Sequence, residues 1–227
     1  MLLGSRALER LSESRVAVFG IGGVGGYVCE ALARSGIGAI DLFDSDRISL
    51  SNINRQIIAL HSTVGRYKTD VMKERIADIN PECSVTVHNM FYLPENSGSV
   101  DLSVYDYIVD AVDTVSAKIE LVIRAKSAGI PIISSMGTGN KTDPTRLRIT
   151  DIYKTDTCPL ARVMRYELRK RGIKSLDVLF SDEPPANVSA KDEQTGKSIP
   201  GSSAFVPSAA GLIISGYVVM NLSNPNN

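Results

Sequence analysis

The chain contains no tryptophan, and aromatic residues make up only 6% of its 227 residues. Side chains that could stack on unpaired bases are therefore few. Neither sign of charge is in excess, because 25 basic residues balance 25 acidic ones and the formal net charge is +0. Bulk electrostatics therefore do not predict a polyanionic partner, and any nucleic-acid site has to be a local patch.

Cysteine is also scarce. The three cysteines, Cys29, Cys83 and Cys158, lie far apart, and the sequence has no C-x-x-C pair. This argues against a structural zinc site. An odd, sparse cysteine count is typical of a reducing compartment, and the N-terminal residues do not have the layout of a signal peptide. We therefore expect a cytoplasmic protein.

Long uncharged runs are absent apart from "AFVPSAAGLIISGYVVMNL" at 204–222. Its length is near the minimum for a membrane span. Pro207, Ser208 and Ser215 within it, and the lack of basic residues around it, favour a helix buried in the core or at a dimer interface. We therefore expect a C-terminal helix and no membrane partner.

Apolar runs alternate with helical patterns over residues 1–136. Strands are predicted at 15–20, 39–43, 83–89, 105–113 and 131–136, and helices at 5–13, 24–36, 66–79 and 115–128. This alternation predicts an α/β fold, a doubly wound, Rossmann-like, mostly parallel sheet. Residues 1–136 would then form a nucleotide-binding core.

The pattern changes after about residue 137. Strands are predicted at 147–152 and 176–180, with a basic helix at 159–171 between them. The polar, breaker-rich segment 181–203 is long for an ordered loop, so we expect it to be mobile or functional. We predict that residues 137–227 form a substrate-side extension on the same sheet, within a single domain.

The stretch "VFGIGGVGGYVCEALARSGIG" (18–38) places several glycines between the first strand and the following helix. Gly20 permits the tight turn, and Gly22 and Gly23 let backbone amides approach a phosphate. Gly25 allows the next helix to pack closely, with its N-terminus facing negative charge. By itself this loop fits NAD and ATP equally well.

Residues further along the chain favour ATP. Asp44, at the end of the second strand, is placed to accept hydrogen bonds from a ribose. Arg55, within "SNINRQ" (51–56), and Lys68 suit a triphosphate, and Asp113 suits Mg²⁺. A hydride-transfer enzyme needs neither the extra cations nor the metal, whereas Asp44 suits the ribose of NAD as well as that of ATP. Each has a plainer alternative: a surface cation for Arg55 and Lys68, and the N-cap of the next helix for Asp113.

The motifs G-x-G-G-x-G, D-x-D, S-N-x-N-R-Q, G-x-x-K and D-A-x-D follow one another over residues 20–113. Their combination resembles the superfamily of ATP-dependent adenylyltransferases that contains ThiF, MoeB and the ubiquitin-activating enzymes. Within it, the chain is similar to the tRNA threonylcarbamoyladenosine dehydratases, on stretches that include "SNINRQIIAL", "DAVDTVSAKIELV" and "KTDPTRLRITDIYKT".

The resemblance implies roles for the matched residues. A nucleotide-binding role falls to Gly20, Gly22, Gly23, Gly25, Asp44, Asn52, Arg55, Gln56 and Lys68. Asn52, Arg55, Gln56 and Lys68 would grip the phosphates. Arg55, Lys68 and Asp113 would act in catalysis, with Asp113 organising Mg²⁺. Family members usually carry an earlier arginine that reaches the partner subunit's ATP site, and neither Arg6 nor Arg10 matches its motif.

The resemblance also implies a reaction and partners. ATP would activate the carboxylate of threonylcarbamoyladenosine in the tRNA anticodon loop, ring closure would follow, and AMP and pyrophosphate would be released. A homodimer is implied as well. The alternative is an adenylyltransferase that activates the C-terminus of a ubiquitin-like or sulfur-carrier protein. The missing zinc cysteines and the basic helix favour tRNA. A non-catalytic nucleotide-gated subunit and an NAD dehydrogenase are less favoured.

Other candidates lie outside these motifs. Arg162, Arg165 and Arg169 are spaced to share one helix face, which suits either tRNA phosphates or a solvated surface. Cys158 precedes a helix start, where a thiolate is favoured. The resemblance to family members that form a thioester implies a nucleophile there, and the alternative is a buried thiol. Lys118 either meets the substrate carboxylate or lies on the surface.

Overall fold

The computed structural model describes residues 2–186, 189–191 and 198–224. Its main sheet has seven strands: β1 (Arg15–Phe19), β2 (Ala39–Phe43), β3 (Ser84–His88), β4 (Tyr107–Asp110), β5 (Ile132–Ser135), β6 (Leu147–Asp151) and β7 (Asp177–Ser181). Their order is β3-β2-β1-β4-β5-β7-β6, and every neighbouring pair is parallel except β6 with β7. The predicted mostly parallel α/β sheet, with the C-terminal extension added to its edge, is confirmed.

Six helices cover the two faces of the sheet: α1 (Ser5–Glu13), α2 (Gly25–Arg34), α3 (Lys68–Ile79), α4 (Val115–Ala128), α5 (Pro159–Lys170) and α6 (Phe205–Ser223). Side chains of α1, α2, α3 and α6 share one apolar cluster. Those of α4 and α5 form a second cluster on the other face. The central strands β1 and β4 are therefore covered on both faces, which explains their continuous apolar runs.

The strand order fixes where a ligand can bind. β1 lies in the middle of the sheet, paired with β2 on one side and with β4 on the other. The chain passes from β1 to β2 and β3 on one side, and then from β4 to β5 on the other. This change of direction between β1 and β4 opens a crevice at their carboxyl ends. The glycine loop that joins β1 to α2 lies at this crevice.

Two predicted boundaries change at functionally important places. The strand predicted at 105–113 covers only Tyr107–Asp110, and residues 111–114 form a loop before α4. The segment predicted as a loop at 181–203 contains two short antiparallel strands, β8 (Ser189–Lys191) and β9 (Ser198–Pro200). Each of these strands has only three residues, which is too few for a hydrophobic period to signal them. Residues 187–188 and 192–197 of that segment lie outside the described residues.

The C-terminal helix α6 is long and apolar enough to cross a membrane, by length and composition alone. It packs against α1 and α2, with Val206, Ile214 and Val218 inside the larger cluster. A Cβ at Gly211 would lie 2.5 Å from the backbone oxygen of Val24, so this helix approaches α2 very closely. α6 is therefore a core helix, as one of the two alternatives predicted.

Candidate functional site

A cavity of about 300 Å³ opens at the carboxyl ends of β1, β2 and β4. Its walls come from the glycine loop, the turn after β2, the 51–56 loop, the start of α3 and the 111–114 loop. It brings together these predicted site residues: Gly20, Gly22, Gly23, Asp44, Asn52, Arg55, Gln56, Lys68 and Asp113. Its size is at the lower end of that of small-molecule sites.

Gly25 does not line the cavity, unlike the other predicted glycines. It begins α2, and a Cβ there would lie 1.8 Å from the backbone oxygen of Gly20. Gly20 has a φ of +88°, and its own Cβ would lie 2.6 Å from the oxygen of Ala111. Both positions require glycine because the loop is pressed between α2 and the loop after β4.

Asp44 is fixed at the cavity by backbone amides. Its carboxylate accepts hydrogen bonds from the amides of Ile21, at 2.7 Å, and of Asp46, at 2.8 Å. Burial raises the pKa of Asp44 above its usual value, and the nearby Lys68 and the two amides offset part of that rise. A hydrogen-bond donor on a ligand, such as a ribose hydroxyl, would stabilise this buried carboxylate further.

Lys68 is held by two carboxylates. Its Nζ lies 2.7 Å from Oδ2 of Asp46 and 3.7 Å from Oδ2 of Asp44, and its side chain is 7% exposed. A phosphate in the cavity would therefore share this ammonium with Asp46 or draw it away. The contact of Lys68 with phosphate stays a prediction.

Arg55 presents an uncompensated charge. Its Nη1 donates to the backbone oxygen of Ser51, at 2.9 Å, and to Oδ1 of Asn54, at 2.8 Å. Both acceptors are neutral, and across the described ranges this guanidinium makes no ion pair. Its side chain also packs on the glycine loop, 3.4 Å from where a Cβ of Gly23 would lie. An anion on this loop would lie next to a free positive charge.

The two amide side chains of the 51–56 loop differ. Asn52 supports the loop itself, because its Oδ1 accepts a hydrogen bond from the amide of Ser49 at 3.1 Å. Gln56 is 6% exposed, and its Oε1 has no hydrogen-bond partner in the described part of the chain. Such an atom costs about 1–3 kcal/mol when it is left unsatisfied, and a bound ligand or water would complete it.

The Asp113 carboxylate makes few contacts with other described residues. It is exposed on the cavity rim, and its Oδ1 accepts a hydrogen bond from the hydroxyl of Thr114 at 3.3 Å. Thr114 is the N-cap residue of α4, so the alternative role of Asp113 as that N-cap is wrong. Among the described residues, no cluster of three metal-ligating side chains is present. One carboxylate beside phosphate oxygens is nevertheless the donor set that Mg²⁺ commonly uses.

Both predicted roles of Lys118 are wrong. It is fully buried, and its Nζ lies 3.0 Å from each carboxylate oxygen of Asp110 and 3.2 Å from Oγ of Ser134. The spacing of residues along α4 could have indicated that Lys118 is buried, because it lies on the same inward face as Leu121 and Val122. The ion pair lies behind the cavity wall.

The three arginines predicted on one face of α5 have different environments. Arg165 is half-buried, and it donates to the backbone oxygen of Thr155 at 2.9 Å and to that residue's hydroxyl. Arg162 and Arg169 are exposed. Cys158, at the N-cap of α5, is 2% exposed, which matches the buried-thiol alternative.

Sequence reasoning missed one wall of the cavity. Phe19 and Phe43 stack with their ring centroids 4.1 Å apart, and residues 90–92 continue this apolar surface. Met90, Phe91 and Tyr92 follow the end of β3, at the same edge of the sheet as Asp44. This position after a strand is the signal that could have located them. Ser202 also lines the cavity, and its backbone oxygen accepts a hydrogen bond from Asn54 Nδ2 at 3.0 Å.

Comparison with known proteins gives consistent relatives. The sequence profile of the ThiF family matches residues 1–200. The chain is 50% identical over 233 residues to the tRNA threonylcarbamoyladenosine dehydratase of Bacillus subtilis, covering 98% of this chain and 92% of that protein. Crystal structures of the Escherichia coli tRNA N6-threonylcarbamoyladenosine dehydratase are also similar. The complex with ATP has a TM-score of 0.86 at 37% identity, and the complex with AMP has 0.88 at 36%. Each covers 97% of this chain and 90% of the crystallised one.

Proposed function

Because the chain belongs to the ThiF family, we propose that it is an ATP-dependent enzyme that dehydrates threonylcarbamoyladenosine in tRNA. ATP activates the carboxylate of the modified nucleoside, the activated group closes into a ring, and AMP and pyrophosphate are released. The observation that carries this proposal is the single cavity that gathers the glycine loop, Asp44, Arg55, Lys68 and Asp113. The relatives from Bacillus subtilis and Escherichia coli, which match nearly the whole chain, are dehydratases of this kind.

The cavity can orient a nucleoside triphosphate. In this proposal the amides of the glycine loop and the N-terminus of α2 would face a phosphate, and Asp44 would accept hydrogen bonds from the ribose; all of them border the same cavity. The free guanidinium of Arg55 then balances the charge that develops on the leaving pyrophosphate. The ammonium of Lys68 adds to this when it turns from Asp46 towards phosphate.

Mg²⁺ fits the same site, and we assign its coordination to Asp113 together with phosphate oxygens of ATP. The bound ion would neutralise phosphate charge and polarise the phosphorus that is attacked. Asp113 supports this assignment because it is exposed on the cavity rim and pairs with no cation of the described residues.

The chemistry needs no nucleophile from the protein. A carboxylate is a poor electrophile, and its reaction with ATP gives it a good leaving group. A neighbouring group of the same nucleoside can then close the ring, helped by proximity alone. The burial of Cys158 agrees with this scheme because a thioester would need an accessible thiol.

We further propose that tRNA contacts α5 and that two copies of the chain form a dimer. Arg162 and Arg169 are exposed on α5 and can meet RNA phosphates. Phe205, Leu212 and Met220 are exposed and form an apolar stripe along α6. Contact with a second copy of the chain would remove this apolar surface from water. We place the protein in the cytoplasm, where its free cysteines stay reduced.

One assay tests the function. The protein is mixed with ATP, Mg²⁺ and either tRNA bearing threonylcarbamoyladenosine or a sulfur-carrier protein, and the release of AMP and pyrophosphate is measured. We expect release with the tRNA only, loss of release in Arg55→Gln, and normal release in the control Arg66→Gln, an arginine outside the cavity. Release with the carrier protein only would favour the alternative adenylyltransferase.

A further inference from the structure

Asp110, Lys118 and Ser134 form a buried polar triad that the proposed chemistry does not use. All three side chains are inaccessible to solvent. The ammonium of Lys118 donates to both oxygens of Asp110 and to Oγ of Ser134, which uses all of its protons. The Ser134 hydroxyl donates in turn to Asp110. The triad is therefore fully hydrogen-bonded, and its geometry is fixed.

The triad links the residue before the 111–114 loop to the helix after it. Asp110 is the last residue of β4, Ser134 is its register partner on β5, and Lys118 lies near the start of α4. The ion pair thus joins the residue before the loop to the helix after it. Asp110 also accepts a hydrogen bond from the amide of Val112, within the loop, at 3.2 Å.

This loop carries Asp113 and contacts the glycine loop. Residues 111–114 all line the cavity, and the oxygen of Ala111 would lie 2.6 Å from a Cβ of Gly20. Asp113 is exposed, and among the described residues its carboxylate has one hydrogen bond, the long one from the Thr114 hydroxyl. The position of the Asp113 carboxylate is consequently set by the loop backbone, and hence by the triad that anchors the loop.

Stability alone does not explain two buried charges. Removing two ions from water is costly, and apolar side chains of similar volume commonly stabilise a fold equally well. A hydrogen-bonded ion pair supplies directional contacts that apolar side chains lack. Lys118 also balances the charge of Asp110, so Asp113 is the carboxylate of this segment without a cationic partner among the described residues.

We propose that Asp110, Lys118 and Ser134 are positioning residues that hold the Asp113 carboxylate at the distance from the glycine loop that a magnesium–nucleotide complex requires. This inference rests on the proposed magnesium role of Asp113. Residues that hold a metal ligand in place without contacting the metal can be recognised by mutation. Their loss lowers metal affinity by about 10- to 100-fold although the ligand itself is intact.

The test is calorimetric titration of ATP at a series of Mg²⁺ concentrations. In Asp110→Asn with Lys118→Met, we expect ATP affinity without Mg²⁺ to match that of the unaltered protein. The Mg²⁺ concentration that gives half of the metal-dependent gain in ATP affinity should rise by about 10- to 100-fold. The matched control is Glu30→Gln with Arg75→Met, which neutralises an ion pair between α2 and α3 away from the cavity. It should leave that concentration unchanged.

Two further variants separate the possible failures. Asp113→Asn should abolish the metal-dependent gain, and if it does not, the proposed magnesium role itself fails. If Asp113→Asn has this effect but the double variant titrates like the unaltered protein, the positioning role is wrong and the magnesium role stands. Ser134→Ala keeps the ion pair and therefore decides the matter should the double variant not fold: a raised half-saturating Mg²⁺ concentration supports the proposal, and an unchanged one overturns it.

Discussion

Gly22→Ala should separate ATP binding from folding. A Cβ at this position would meet only Nε2 of Gln56, at 3.9 Å, and Gly22 is not among the glycines with positive φ. The added methyl group therefore clashes with nothing in the protein. It would instead occupy the cavity beside the backbone amides that we expect to face phosphate.

The expected magnitude follows from the hydrogen bonds that the methyl group would displace. A hydrogen bond to a charged group contributes about 1.5–3 kcal/mol. Losing one such bond would raise the dissociation constant of ATP by roughly 10- to 100-fold. The melting temperature should stay the same or rise slightly, since replacing glycine by alanine at a compatible φ stabilises by about 0.4–1 kcal/mol.

Calorimetric titration with ATP and thermal unfolding by circular dichroism measure the two quantities independently. The matched control is Gly36→Ala, just beyond the other end of α2. Gly36 has a φ of +85° and open space around its Cα, so alanine there should cost about 1–2 kcal/mol of stability and leave ATP affinity unchanged. If Gly22→Ala binds ATP as tightly as the unaltered protein, the glycine loop does not cradle phosphate.

Three other predictions concern the remaining surfaces. Cys158→Ser should keep full tRNA-dependent AMP release, because the thiol is buried and the chemistry does not need it; a large loss of turnover would restore the thioester alternative. Arg162→Glu with Arg169→Glu should weaken tRNA binding in a filter-binding assay and flatten its salt dependence, while ATP binding is unaffected. Unchanged tRNA affinity would remove α5 from the RNA surface. Leu212→Glu with Met220→Glu should give a monomer in light scattering, because two charges would interrupt the apolar stripe; a dimer that persists would place the interface elsewhere.

The part of the site that the sequence predicts well depends on local context. The glycine loop follows an apolar strand and precedes a helix, and Asp44 ends the next strand. These patterns suffice because the carboxyl ends of parallel strands meet at one edge of the sheet. Arg55 and Lys68 were found in the same way, from their position between β2 and the start of α3.

What the sequence does not reveal depends on tertiary pairing. From the sequence alone, Lys118 is expected to be a solvated lysine. Its buried acceptors become evident only when β4 and β5 are placed beside α4. Arg165 looks equivalent to Arg169 by helix period, but only Arg165 meets Thr155. The strands β8 and β9 are three residues long each, which is too short to show a hydrophobic period. In each case the deciding partner lies on a different element, so the pattern within one helix or strand does not reveal it.

The most direct test of the central claim, that ATP activates the nucleoside's carboxylate in this cavity, follows the oxygen atoms. The protein is incubated with ATP, Mg²⁺ and tRNA whose threonylcarbamoyladenosine carries oxygen-18 in its carboxylate, and the products are analysed by mass spectrometry. We predict that labelled oxygen appears in AMP and not in pyrophosphate, because the carboxylate oxygen leaves with the adenylyl group when the ring closes. Unlabelled AMP alongside cyclised nucleoside would contradict the account.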